Sequence, residues 1–131
     1  MPSMLIEVRR QYTPAEESAL IDAAHHALLE GFRIPESDRN VRLVAHEPHR
    51  FVCSPRVTKP DRYTQITIDC FTGRSLDAKR RLYRAIVANL EPLGIPNDCV
   101  KIVLNEIVQE NWGIAGGKPA CDVELGFKVD V

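Results

Sequence analysis

The sequence predicts an α/β fold in which two βαβ units form a four-stranded mixed sheet, with two helices across one face and short terminal strands. Three observations carry this prediction. A helix-start signal occurs twice, at Thr13-Pro14-Ala15-Glu16 and at Ser75-Leu76-Asp77-Ala78. After each start, apolar residues at helical spacing run toward an Ile-Pro pair, Ile34-Pro35 and Ile95-Pro96. Short runs rich in β-branched residues flank both helices.

The first strand is expected from Met4 to Val8. Thr13 then offers its hydroxyl to the free amides of a helix's first turn, and Glu16 completes a capping box. Pro14 falls at the first helical position, where its missing N–H costs nothing. Leu20, Ala24, Ala27, Leu28 and Phe32 give this helix its apolar stripe, and Pro35 bars its continuation. A second strand follows from Val41 to Glu47.

Residues 48–62 carry Pro48, Pro55 and Pro60 among basic side chains and read as the connection to the second copy. That copy repeats the plan. Its strand from Gln65 to Phe71 alternates Ile66, Ile68 and Cys70 with polar neighbours. Its helix uses Leu82, Ala85, Ile86, Val87 and Leu90, and its closing strand begins at Val100, set against Val41 of the first copy. Helices of this length between strands imply parallel crossovers. Beyond Glu106 the chain turns through Trp112-Gly113-Ile114-Ala115-Gly116-Gly117, and alternating Val123, Leu125, Phe127 and Val129 predict one more strand. We expect a single domain over 1–131, with the repeat at 1–47 and 63–106 and a C-terminal strand segment at 107–131.

Composition narrows the function. Seventeen basic against eighteen acidic residues leave a formal net charge of −1, without the basic excess that a nucleic-acid surface needs. No apolar run approaches the roughly 20 residues of a membrane span. Glu7 and Arg9 arrive too early for a secretory signal, so the expected location is the cytoplasm. Cys53, Cys70, Cys99 and Cys121 are too scattered for a metal pair and read as reduced, mostly buried thiols. His46 and His49 lie on a strand end and loop with no obvious third ligand, so no metal is expected. His25 and His26 fall within a helix, in packed or exposed roles.

Two residues suggest chemistry. If Met1 is removed, Pro2 becomes a secondary amine that starts from an α-amino pKa of roughly 7.7–8.0. Apolar surroundings or nearby cations lower that value toward a base suited to proton abstraction beside a carbonyl. On position alone, however, Pro2 is an ordinary start residue. Arg74 ends the second copy's first strand, after Gly73 and just before a helix start. A guanidinium there can fork onto a carboxylate, although a strand-end arginine is ordinarily a solvated surface group.

The run Gly73-Arg74-Ser75-Leu76-Asp77-Ala78-Lys79, followed by Val100-Lys101-Ile102-Val103, Asn111-Trp112-Gly113-Ile114 and Gly116-Gly117, resembles the short subunit of 4-oxalocrotonate tautomerase. Met1-Pro2, Ile34-Pro35-Glu36-Ser37-Asp38-Arg39 and His46-Glu47-Pro48 are similar to the malonate semialdehyde decarboxylase branch of that tautomerase superfamily, which fuses two copies per chain. The resemblance spans essentially the whole chain through the order and spacing of short motifs.

It implies that Pro2 is the catalytic amine and that Arg74 holds a substrate carboxylate. It matches Asp38 to an acid that orients or polarises substrate or water, and Trp112 to an aromatic pocket wall. It further implies a homotrimer acting on a small carboxylate without metal or organic cofactor. The implied reaction is keto–enol tautomerisation of a small 2-oxo or enol acid, with neutral Pro2 as general base. The alternatives are decarboxylation or hydration with protonated Pro2 as acid, and a non-enzymatic trimeric binding protein.

Two departures bear on that choice. The decarboxylase branch has a second arginine where this chain has Leu76, and Thr64 stands where the second copy would need its own Pro2.

Overall fold

A computed structural model describes residues 2–131; the expected removal of Met1 concerns a residue outside the described ones. Strand β1 (Ser3–Val8) leads to helix α1 (Pro14–Phe32) and strand β2 (Val41–Ala45). Strand β3 (Thr64–Phe71), helix α2 (Leu76–Leu90) and strand β4 (Val100–Ile107) repeat the order. The sheet runs β2-β1-β3-β4. Each outer strand is parallel to its inner neighbour, and the two inner strands are antiparallel, with Ser3 opposite Asp69. This is the predicted mixed sheet.

Both helix starts are built as their sequences require. The Thr13 hydroxyl accepts from the Glu16 amide, and the Glu16 carboxylate accepts from the Thr13 amide. At α2, Ser75 caps the Ala78 amide. Helix α1 ends on Arg33 in the left-handed region, and α2 passes into a 3₁₀ turn at Glu91–Leu93. Met4, Ile6 and Val8 of β1 and Ile66, Ile68 and Cys70 of β3 are buried, facing a core that includes Leu20, Leu28, Phe32, Leu82, Ile86 and Leu90. The alternate residues Leu5, Glu7, Gln65, Thr67 and Asp69 are half-buried on the opposite face. A Cβ on Gly31 would fall 2.7 Å from the Leu82 Cα, so the two helices meet at a contact only glycine permits. An alanine there would force them apart at about 1–3 kcal/mol.

Two expectations are corrected. The structural equivalent of Val41 is Ile102, not Val100. Met4 and Ile66 stand equally far ahead of their caps, and they pair with Val41 and Ile102 respectively. The second crossover adds a 3₁₀ turn at Asn97–Cys99, after which β4 starts earlier than β2 does. The stretch from Val123 to Val129 is irregular chain; the short terminal strands are instead β5 (Gly113–Ile114) and β6 (Lys118–Pro119), a small hairpin. The alternation at 123–129 reflects a different cause. Its apolar residues are half-buried and Phe127 packs on the core, but no described strand edge pairs with the segment.

Candidate active site

The topology brings four chain positions to one end of the sheet. β1 begins there, β2 begins beside it, and β3 and β4 finish there. Pro2 directly precedes β1 and is buried. The Met4 amide donates to the Asn40 carbonyl at 2.9 Å, which fixes the loop carrying Asp38 next to the β1 start. Continuing the β1–β3 register by one step places Pro2 beside Cys70. Cys70 is buried, and burial pushes its thiol pKa up.

Arg74 follows β3 through a turn in which Gly73 has φ +135°, and the Thr72 amide is tied to Ile107 at the end of β4. Far from being a solvated surface group, Arg74 is only 5% exposed. Its Cζ lies 4.6 Å above the Phe32 ring, and its Nη1 donates to the Phe71 carbonyl at 3.3 Å. Nε and Nη2 are buried and have no hydrogen-bond partner among the described residues. Burial pulls the guanidinium pKa below its ordinary value, while Cys70, Asp38 and Glu106 pull it back up. Asp38 thus lies within electrostatic reach of Arg74; it is half-buried, and Asn40 Nδ2 donates to it at 3.0 Å.

Trp112 follows β4 through a 3₁₀ turn at Gln109–Asn111 and meets Phe71 edge to face, with ring centroids 5.0 Å apart. Its carbonyl accepts from the Ala120 amide, so the β5–β6 hairpin backs it, and its indole N–H is buried without a partner among the described residues. Leu76, in contrast, is 59% exposed at the first position of α2.

All four expected site residues, Pro2, Asp38, Arg74 and Trp112, therefore share one end of the sheet. Sequence reasoning missed the support beneath them. Phe32 was assigned to the core by spacing, but its ring also carries the Arg74 guanidinium. Glu106, bound to Lys79 at 2.8 Å, contributes to the field at Arg74. An aromatic in the last turn of α1 was the available signal for the first; nothing in the sequence marked the second. His46 pairs with Glu7 at 3.0 Å, His49 is exposed, and no cluster of metal-ligating side chains occurs among the described residues. No helix is long and apolar enough to cross a membrane among the described residues.

A buried guanidinium with two unused donors, a nearby carboxylate and an aromatic wall suit a small carboxylate ligand. The arrangement sits on a duplicated βαβ sheet of the tautomerase fold. The sequence profile of the tautomerase enzyme family matches residues 38–115, and the chain belongs to that family. FG41 malonate semialdehyde decarboxylase inhibited by 3-bromopropiolate is similar at 26% identity and a TM-score of 0.80, covering 89% of this chain and 92% of that one. Another malonate semialdehyde decarboxylase matches at 24% identity and 0.82, covering 93% and 99%. Native fused 4-OT shares the fold at 19% identity and 0.82, covering 92% and 98%.

Proposed function

We propose that the chain is a cofactor-independent tautomerase of a small 2-oxo or enol carboxylic acid. The single observation that carries this reading is Arg74: a buried cation with two donors unpartnered among the described residues, at the sheet end where Pro2 is also buried. Arg74 receives the substrate carboxylate in a charge-assisted fork. With Met1 removed, neutral Pro2 takes the proton from the enol oxygen, leaving an enolate and a protonated amine. That amine delivers the same proton to carbon, so the keto tautomer forms, the neutral amine is restored and no net acid or base is consumed. Asp38 polarises the substrate oxygen or a water, and Trp112 and Phe71 supply an apolar wall that favours the uncharged amine. We further propose a homotrimer. Fused 4-OT is described as a symmetric trimer, and the half-buried sheet face with Leu5 and Thr67 lies opposite the helices.

A specific observation supports a second reading, decarboxylation or hydration with protonated Pro2 as acid. The 26% identical neighbour is a malonate semialdehyde decarboxylase, and Asp38 supplies a carboxylate within electrostatic reach of Arg74. Leu76 favours the first reading, because it puts an apolar, largely exposed side chain where that branch carries a second arginine.

Initial rates on a phenylenolpyruvate-type enol and on malonate semialdehyde test the ranking. We expect tautomerisation that Pro2→Ala largely abolishes, with weak or absent decarboxylation. Robust decarboxylation, with tautomerisation at the uncatalysed rate, would reverse it.

A further inference from the structure

We propose that His25 is a positioning residue for Asp38, acting through the backbone of the loop that carries it. This inference rests on the role given to Asp38 above. His25 lies within α1, flanked by buried Ala24 and by Ala27 and Leu28 a turn on, and it is fully buried, whereas the adjacent His26 is exposed. Its Nε2 lies 3.0 Å from the Glu36 carbonyl oxygen. A carbonyl only accepts, so the ring proton is on Nε2 and is donated. Nδ1 is buried and has no partner among the described residues. A buried polar ring with a single bond is a costly substitute for an apolar side chain, so that one bond needs a reason.

The loop geometry supplies one. The Asp38 amide donates to the Pro35 carbonyl at 3.0 Å, closing a turn across Pro35, Glu36, Ser37 and Asp38. Glu36 is the second residue of that turn, so holding its carbonyl fixes the peptide plane at the turn's centre and with it the approach of Asp38. Glu36 and Ser37 have exposed side chains that add little of their own. On the other side of Asp38, Arg39 pairs with Asp22 of α1, but that contact is exposed and contributes little. The part-buried bond from the fully buried His25 ring is the stronger fastening. Phe32, farther along α1, lies beneath Arg74. One helix thus supports both the anchor and the acid.

The test compares His25→Phe, which fills the space without a donor, with His25→Gln, which keeps an N–H. His26→Ala serves as the control. In steady-state kinetics on the enol acid, His25→Phe should lower kcat by about 10- to 100-fold, the scale of a small misplacement of a reacting group. KM should stay within about twofold because Arg74 is untouched, and His25→Gln should recover most of the loss. In an Asp38→Ala background, His25→Phe should cost nothing further, since the two residues act as one unit. Additive losses, or an undiminished His25→Phe beside a crippled Asp38→Ala, would overturn the proposal alone. Full activity of Asp38→Ala would overturn the Asp38 role and this inference with it. Should His25→Phe fail to fold, nitrogen NMR of the wild-type imidazole still decides: a proton on Nε2 is required, and one on Nδ1 contradicts the bond.

Discussion

Pro2 precedes β1 at one end of the central strand pair, and Thr64 opens β3 at the other, equally far ahead of their helices. The repeat thus offers the same positions twice, and the two ends use them in opposite ways. At the far end Thr64 is fully buried and its hydroxyl is spent on the Arg62 carbonyl at 2.9 Å. The residue before the helix cap is Arg74 at one end and Tyr12 at the other. Both are 5% exposed, and both belong to a cation–aromatic pair. At the Pro2 end the cation is inside, with two donors unpartnered among the described residues. At the far end the ring is inside, Arg10 and Arg62 lie over it at 5.3 and 5.5 Å, and Arg62 donates to the Tyr12 hydroxyl.

The acids ahead of the outer strands both accept from within the chain. Asp98, ahead of β4, accepts from both the Thr58 amide and hydroxyl at 2.7 Å, and Asp38, ahead of β2, accepts from Asn40 Nδ2 at 3.0 Å and also lies in the field of Arg74. At the Pro2 end two Arg74 donors lack a partner among the described residues; at the far end Arg9 Nε does as well, although its Nη1 and Nη2 donate to the Pro60 and Pro48 carbonyls.

The sharpest way to break this contrast is Arg74→Ala beside Tyr12→Phe. Losing the charge-assisted fork should remove about 1.5–3 kcal/mol, roughly a 10- to 150-fold drop in kcat/KM on the enol acid. Tyr12→Phe should leave kinetics unchanged and lower Tm by the equivalent of about 0.5–1.5 kcal/mol. Equal kinetic losses would mean that the two ends share the work.

A smaller effect is expected from Leu76→Arg. A second cation near Arg74 should assist the charge that develops as carbon dioxide leaves, and so raise decarboxylation of malonate semialdehyde measurably. An unchanged rate in a folded variant would show that Leu76 does not separate the two chemistries.

The smallest effect concerns Asp98, whose carboxyl is held below its ordinary value of 3.8, first by the Thr58 hydroxyl and then by the Thr58 amide. A depressed folded pKa gives stability that is present above 3.8 and lost as pH falls through the lower value. The Tm gap between the parent and Asp98→Asn should therefore close on acidification, with activity at neutral pH untouched. A gap that widens at low pH would contradict the clamp.

Much of the fold, and the placement of the candidate site residues, was legible in the sequence, for identifiable reasons. The duplicated caps at Thr13 and Ser75 fixed the repeat because a capping hydroxyl and a helical apolar stripe are local signals. Pro2, Asp38, Arg74 and Trp112 stood out through motif order, and the topology brings them to one sheet end. The burial of Arg74 was not legible, since a charged side chain is ordinarily exposed and only the Phe32 ring and the strand ends make its position tenable. The His25 bond to Glu36 was equally hidden, because it joins a helix face to a loop carbonyl and no side-chain pattern encodes it. The tail from Val123 misled through real alternation: packing against a core produces the same period as a strand, and only an available edge distinguishes them.

The titration of the Pro2 amine tests the Pro2 end most directly. It is followed by nitrogen NMR in active protein shown by intact mass to lack Met1. The neutral-base mechanism predicts a single titration with a midpoint below the ordinary α-amino range of roughly 7.7–8.0. It also predicts that kcat/KM rises with the neutral form. A midpoint well above that range, or full activity in protein that retains Met1, would contradict it.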